Sequence, residues 1–149
     1  MKIAVGSDHG GFPLKAAVIE AIQSAGHVVV DLGIYSPERA DYPDYAEKVG
    51  QAILNNEADR GVLLCGSGVG VCIAANKMKG IYASVVHDTY TAHQSVEHDG
   101  LNVICMGGRI IGVELAKEIV TTFLSARYSN EERHNIRVAK TRAIEARNH

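Results

Sequence analysis

Five short apolar runs, each followed by a longer stretch of helical periodicity, constrain this 149-residue chain more than any other feature. Lys2–Gly6 reads as a buried strand, and Phe12–Ala25 as a helix with Leu14, Val18, Ile19 and Ile22 on one face. Gly26 stops that helix. His27–Leu32 is β-branched and reads as a second strand, followed by a turn-rich loop over Gly33–Tyr42. Pro43 opens a helix to about Asn55, since proline suits a first helical turn. The third, fourth and fifth strands are Gly61–Cys65, Ile81–Val86 and Asn102–Met106. Helices are expected at Val69–Met78, Thr89–Glu97, Gly112–Ser125 and Asn130–Arg147. The strands are continuously apolar, as strands covered on both faces must be. The expectation is an α/β fold: a three-layer αβα sandwich around a five-stranded parallel, Rossmann-like sheet, with one extra C-terminal helix. At this length residues 1–149 are expected to form one domain.

Composition narrows the class. With 46% hydrophobic and 21% charged residues the chain is not of disordered type. A formal charge of −2 excludes a strong sequence-independent pull toward nucleic acid. No apolar run approaches the roughly 20 residues of a membrane span, and the opening residues Met1–Gly6 lack a secretory signal's apolar stretch. Three Cys with no CxxC pair argue against a disulfide framework or a structural metal, and suit a reducing, cytoplasmic compartment. Charge is uneven, however. From Arg127 onward six Lys/Arg face three acids, against nine basic and fourteen acidic residues before it. Such a tail is either a solvated helix face or a docking arm or anion site.

In doubly wound sheets ligands sit beyond the carboxyl ends of the strands, so chemistry is sought there. Cys65-Gly66-Ser67-Gly68-Val69-Gly70 closes a strand and opens a helix. Its glycines let successive N–H groups face one concavity, which stabilises an anion, a thiolate included. The other reading of Cys65 is plain packing, and both stand on the residues alone. Cys72 and Cys105, flanked by apolar residues, are expected to be core. Asp8-His9-Gly10-Gly11 follows the first strand: either a proton-transfer or anion-binding pair, or a helix cap beside a loop histidine. His98-Asp99 offers a general acid or base, or a charge complementing a helix end. Arg133 and Arg137 share a helical face and suit a phosphate, or are solvated with Glu131 and Glu132 as partners. The last helix has a narrow apolar stripe of Ile136, Ala139, Ala143 and Ala146, which suits packing against a second chain. His27, His87, His93 and His149 have no neighbouring motif and are expected at surface or satisfied positions.

These motifs together resemble the type B ribose-5-phosphate isomerase family, which includes the galactose-6-phosphate isomerase subunits. The resemblance rests on Ser7–Lys15 (SDHGGFPLK), Asp41–Ala46 (DYPDYA), Cys65–Gly70 (CGSGVG), Ile73–Lys77 (IAANK), Glu97-His98, Gly107–Ala116 (GGRIIGVELA) and Arg133–Arg137 (RHNIR). It is collinear over nearly the whole chain. It implies aldose–ketose isomerisation through an enediolate, with no metal or cofactor. It also implies a homodimer with shared active sites, or a tetramer, in carbohydrate metabolism of the pentose phosphate type. By resemblance Cys65 is the base and His98 opens the sugar ring. Ser67 and the amides of Gly66, Gly68, Val69 and Gly70 hold the enediolate oxygen, while Asp8 and Tyr42 contact the sugar. His9, Arg109, Arg133 and Arg137 form the phosphate and substrate clamp, the last two reaching a neighbouring subunit's site.

Two positions depart from the family pattern. Ser67 stands where Thr is frequent, which keeps the hydroxyl. Asp99 stands where the family usually has Asn, an amide donor to the enediolate. An ionised carboxylate would repel that anion, so Asp99 is protonated, turned away, or serves another substrate hydroxyl. It motivates a second substrate reading, a six-carbon phosphate such as allose or galactose 6-phosphate, whereas the RHNIR tail favours a pentose. A reading of a different class is a non-enzymatic nucleotide-binding module of the universal-stress type. It needs a late glycine-rich loop, for which Gly107-Gly108 is the one candidate.

Overall fold

The computed structural model describes Met1–His149. Its elements run β1 (Lys2–Ser7), α1 (Phe12–Ser24), β2 (Val28–Asp31), α2 (Tyr42–Leu54), β3 (Arg60–Cys65) and α3 (Val69–Ala75). Then come β4 (Ala83–Val85), α4 (Thr89–Asp99), β5 (Val103–Gly107), α5 (Val113–Ser125) and α6 (Glu132–Asn148). All strand pairs are parallel, in the order β2-β1-β3-β5-β4. One face buries Val5, Val18, Ile22, Ile104, Met106, Ile119 and Phe123 beneath α1, α4 and α5. The other buries Ala4, Val49, Leu63, Val71 and Cys105 beneath α2 and α3. This is the expected three-layer sandwich, with α6 outside it against α4.

Topology places the functional loops. The sheet grows in opposite directions from β1 and β3, which makes their boundary the switch point where ligands bind. Ser7 pairs with Leu64, and Cys65 with Gly107. The loops leaving β1, β3 and β5 therefore emerge side by side.

β2, expected over His27–Leu32, loses one residue at each end; β4 and α3 are shortened further, and there polar side chains are the reason. Asn102 accepts the Tyr82 N–H at 2.8 Å and donates to the Gly80 carbonyl at 3.0 Å, holding that segment out of the ladder until Ala83. Asn76 forms two 2.9 Å bonds with the Ala83 backbone, so α3 stops at Ala75 rather than Met78.

Lys15 is a buried cation, 5% exposed. Its Nζ lies 2.6 Å from Asp31 Oδ1, donates to the Ile34 carbonyl at 2.5 Å, and sits 4.7 Å from the Tyr35 ring centroid. It ties α1 to the loop after β2. Removing its carboxylate leaves a buried charge without its counter-ion. Asp31→Asn is expected to destabilise by about 2–3 kcal/mol, below the ~3–5 of a fully buried pair because Asp31 is partly solvated. The midpoint of urea unfolding measures this, and an unchanged midpoint would refute it.

Helix α6 carries one buried residue, His134, while Ile136 and Ile144 remain 49% and 55% exposed. It is held at its far end by Glu145, whose carboxylate accepts the Gly80 N–H at 3.0 Å and the Tyr82 hydroxyl at 2.8 Å. The Gly80 N–H holds the Glu145 carboxyl below its ordinary range, and burial pushes the Tyr82 phenol up.

Candidate active site

Cys65 ends β3, and its sulfur is turned back by the loop that follows. Gly68 adopts φ +81°, a conformation open to glycine at little cost, and its N–H donates to Cys65 Sγ at 3.0 Å. The Val69 N–H donates to Ser67 Oγ at 3.2 Å. The N–H groups of Ser67 and Gly70 have no partner within the chain. Opposite them, Tyr42 at the start of α2 lays its ring against Gly70. A Cβ at position 70 would come within 2.9 Å of Tyr42 Cζ, so only glycine leaves room for that ring.

From β1 comes Asp8, 7% exposed. Its Oδ1 accepts the N–H groups of Gly10 and Gly11 at 2.8 and 3.1 Å, which fixes the carboxylate and leaves Oδ2 for a ligand. The cap of α1 is Gly11, not Asp8. From β5 comes Arg109, whose guanidinium lies alongside Gly66 and whose N–H donates to the Gly66 carbonyl at 3.0 Å.

These groups line one cavity of about 340 Å³: Asp8, Tyr42, Cys65, Gly66, Ser67, Gly70, Arg109 and Ile110. Cys65 is only 4% exposed, yet it forms part of this wall. Gly68 and Val69 belong to the same loop. His9 is not among the residues of the cavity wall, and its Nδ1 accepts the Ala40 N–H at 3.3 Å.

The other expected site residues form a second group, away from this cup. On α4 the His98 ring stacks on His134 of α6, with centroids 4.1 Å apart and planes 26° from parallel. His98 Nδ1 lies 3.1 Å from Gln94 Nε2, and Asp99 Oδ2 lies 3.5 Å from the same nitrogen. Burial pushes the His134 imidazole below its ordinary value, and the nearby His98, Arg133 and Arg137 charges add to this. Asp99 and Arg137 line a separate groove of about 290 Å³ with Asn76, Tyr82 and Arg142. Arg133 is exposed and donates from Nε to Glu131 Oε2 at 2.9 Å. So of the two tail arginines, expected as a joined clamp, Arg133 pairs with Glu131 while Arg137 lines the groove.

Three contributions had no signal in the sequence reading: Ile110 at the cup, Gln94 beside His98, and the stacking of His134. Cys72 also departs from an inert core role. It is half-buried, and the Cys105 thiol and the Asn76 amide lower its thiol to about 7. Burial pushes the Cys105 thiol up. Three of the remaining histidines have partners: His27 the chain's amino group, His93 Glu97, and His87 the Gly107 N–H, while His149 is exposed.

A sulfur, a fixed carboxylate, free amides and a guanidinium around one small cavity are the kinds of group that an enzyme acting on a small anionic molecule brings together. The family model described as ribose/galactose isomerase matches residues 3–141. The chain is 47% identical to ribose-5-phosphate isomerase B of Escherichia coli (strain K12), over 98% of this chain and 97% of that protein. It is 42% identical to the galactose-6-phosphate isomerase subunit LacB of Clostridium acetobutylicum, over 86% of this chain and 74% of that subunit. The structure of Clostridium thermocellum ribose-5-phosphate isomerase B superposes with a TM-score of 0.95 at 42% identity, covering both chains fully. The chain belongs to the ribose/galactose isomerase family, and is an isomerase. That membership displaces the nucleotide-binding alternative.

Proposed function

We propose that this chain, acting as one domain over residues 1–149, interconverts D-ribose 5-phosphate and D-ribulose 5-phosphate through an enediolate. The observation that carries the reading is the Cys65 sulfur, held by the Gly68 N–H at 3.0 Å in the wall of the cup. His98 hydrogen-bonds the furanose ring oxygen through a ring N–H as the anomeric hydroxyl gives its proton to solvent and solvent protonates the ring oxygen, which opens the sugar. Cys65, as thiolate, takes the C2 proton. The C2–H electron pair becomes the C1=C2 bond, and O1 takes up the negative charge. The Ser67 and Gly70 N–H groups and the Ser67 hydroxyl receive that charge, each such donor being worth roughly 3–4 kcal/mol. A proton passes from O2 to O1, the Cys65 thiol protonates C1, and C2=O2 remains. Asp8 Oδ2 and Tyr42 hold sugar hydroxyls. His9, Arg109, Arg133 and Arg137 grip the phosphate, whose remote binding energy positions the reacting carbons.

Since the cup and the His98–Arg137 group share no cavity within one chain, the reading includes a homodimer in which each supplies one half of a site. The three free thiols suit a reducing, cytoplasmic setting. No helix is long and apolar enough to cross a membrane.

Asp99 and the likeness to a galactose-6-phosphate isomerase subunit favour a second reading, a six-carbon sugar phosphate. A coupled assay decides between them. We expect kcat/KM on ribose 5-phosphate to exceed that on allose or galactose 6-phosphate at least about tenfold, some 1.4 kcal/mol of discrimination. Preference for a hexose phosphate would replace the substrate, and no turnover of any of the three would reject the reading.

A further inference from the structure

Gln94 lies one helical turn before His98, half-buried on α4. Its Nε2 is 3.1 Å from His98 Nδ1 and 3.5 Å from Asp99 Oδ2. A carboxylate oxygen only accepts hydrogen bonds, so the amide face turned to Asp99 is its NH2 group. The long Asp99 contact is weak as a bond but decides the amide's orientation by sign, since the amide carbonyl in that place would be repelled. With NH2 there, Gln94 donates to His98 Nδ1, and Nδ1 must be the ring's lone pair. The ring proton then sits on Nε2. The His134 ring stacks against the imidazole and fixes its plane, with its own Nδ1 2.6 Å from Ser129 Oγ.

We infer that Gln94 is a positioning residue that sets the tautomer of His98, oriented by the Asp99 carboxylate. The inference rests on the ring-opening role proposed above for His98. Opening a furanose needs an N–H aimed at the ring oxygen as the C1–O bond breaks; the neutral Nε2–H tautomer supplies it as a hydrogen bond that polarises that oxygen, while solvent delivers a proton to replace the one the anomeric hydroxyl gives up. Asp99 thereby has a function that needs no contact with the enediolate: it is spent on the Gln94 amide.

The test is Gln94→Glu. A carboxylate accepts from Nδ1–H, which drives the neutral ring to the opposite tautomer. Imidazole nitrogen-15 NMR reads this directly at about pH 9, well above the usual imidazole range near 6.5. We expect His98 to be Nε2–H in the natural chain and Nδ1–H in the variant. At the same pH, turnover of ribose 5-phosphate should fall at least about tenfold, toward the ~10²–10³ lost when a donor aimed at a reacting oxygen is removed. Ribulose 5-phosphate cannot close a furanose ring, because its O5 bears the phosphate. Deuterium wash-in at its C1 therefore reports the enediolate step alone, and should stay within about twofold of the natural rate. An Nδ1–H ring in the natural chain, or an unchanged ring in the variant, overturns the inference. So does an equal loss of turnover and wash-in, which marks a merely structural residue. His98→Asn separates the premise: if it leaves ribose 5-phosphate turnover intact, the ring-opening role fails whatever the NMR shows.

Discussion

Cys65→Ala is expected to lower kcat on ribose 5-phosphate by at least about 10³-fold, within the ~10²–10⁴ of a positioned base and toward its upper end because the other base in the wall, the Asp8 carboxylate, is held for a sugar hydroxyl. The cavity wall offers one sulfur, one carboxylate, a phenol and a guanidinium. Asp8 is fixed by two N–H bonds through Oδ1 and approaches from a different strand. Cys72, though its thiol is lowered to about 7, lies on α3 outside that wall. Deuterium wash-in at C1 of ribulose 5-phosphate should vanish together with turnover, which assigns the loss to the carbon–proton step. The fold should survive. The substitution removes one sulfur atom beside an existing cavity, so stability should drop by only about 1 kcal/mol, seen as a small shift in the urea midpoint. Retention of most activity by the folded variant would make Cys65 a packing residue and leave the enediolate without its base.

The alternation of strand and helix was legible because a parallel sheet covered on both faces demands continuous apolar runs, and β1, β3 and β5 are such runs. The cup was legible for the same reason: its residues follow strand ends, where topology alone directs attention. What remained hidden are effects of side chains on distant backbone. Asn102 and Asn76 shorten β4 and α3 through bonds that span the fold, and nothing local in Ile81–Val86 announces them. His98 was visible as an acid or base, but its tautomer depends on an amide one turn earlier and on the sign of Asp99. Nor does sequence spacing show that Arg133 pairs with Glu131 while Arg137, four residues on, lines the groove beside Asp99. Helical periodicity fixes the face, not the rotamer. The family resemblance supplied the list of site residues, whereas the division of that list into two separate groups is a property of the folded chain.

That division yields the second large effect. Cys65→Ala and the double variant Arg133→Ala/Arg137→Ala are each expected to be nearly inactive, the latter because two charge-assisted contacts at about 1.5–3 kcal/mol apiece hold the phosphate. Mixed in equal amounts and allowed to exchange subunits, they should regain about a quarter of natural activity. In a two-fold symmetric dimer half of the molecules are then mixed, and each mixed dimer has one site with an intact cup and intact arginines. The surfaces suit such pairing. Around the cup Val69 and Ile110 are 48% and 58% exposed, and on α6 Ile136 and Ile144 are comparably bare. Apolar area of this kind gains roughly 25 cal/mol per Å² when covered. A fold that completed its site within one chain would show no recovery on mixing. Recovery must also require exchange, so cross-linking each parent dimer before mixing should abolish it. If native mass spectrometry finds mixed dimers but activity stays absent, or if sedimentation finds only monomer in the natural protein, the arginines and the thiol do not serve one shared site.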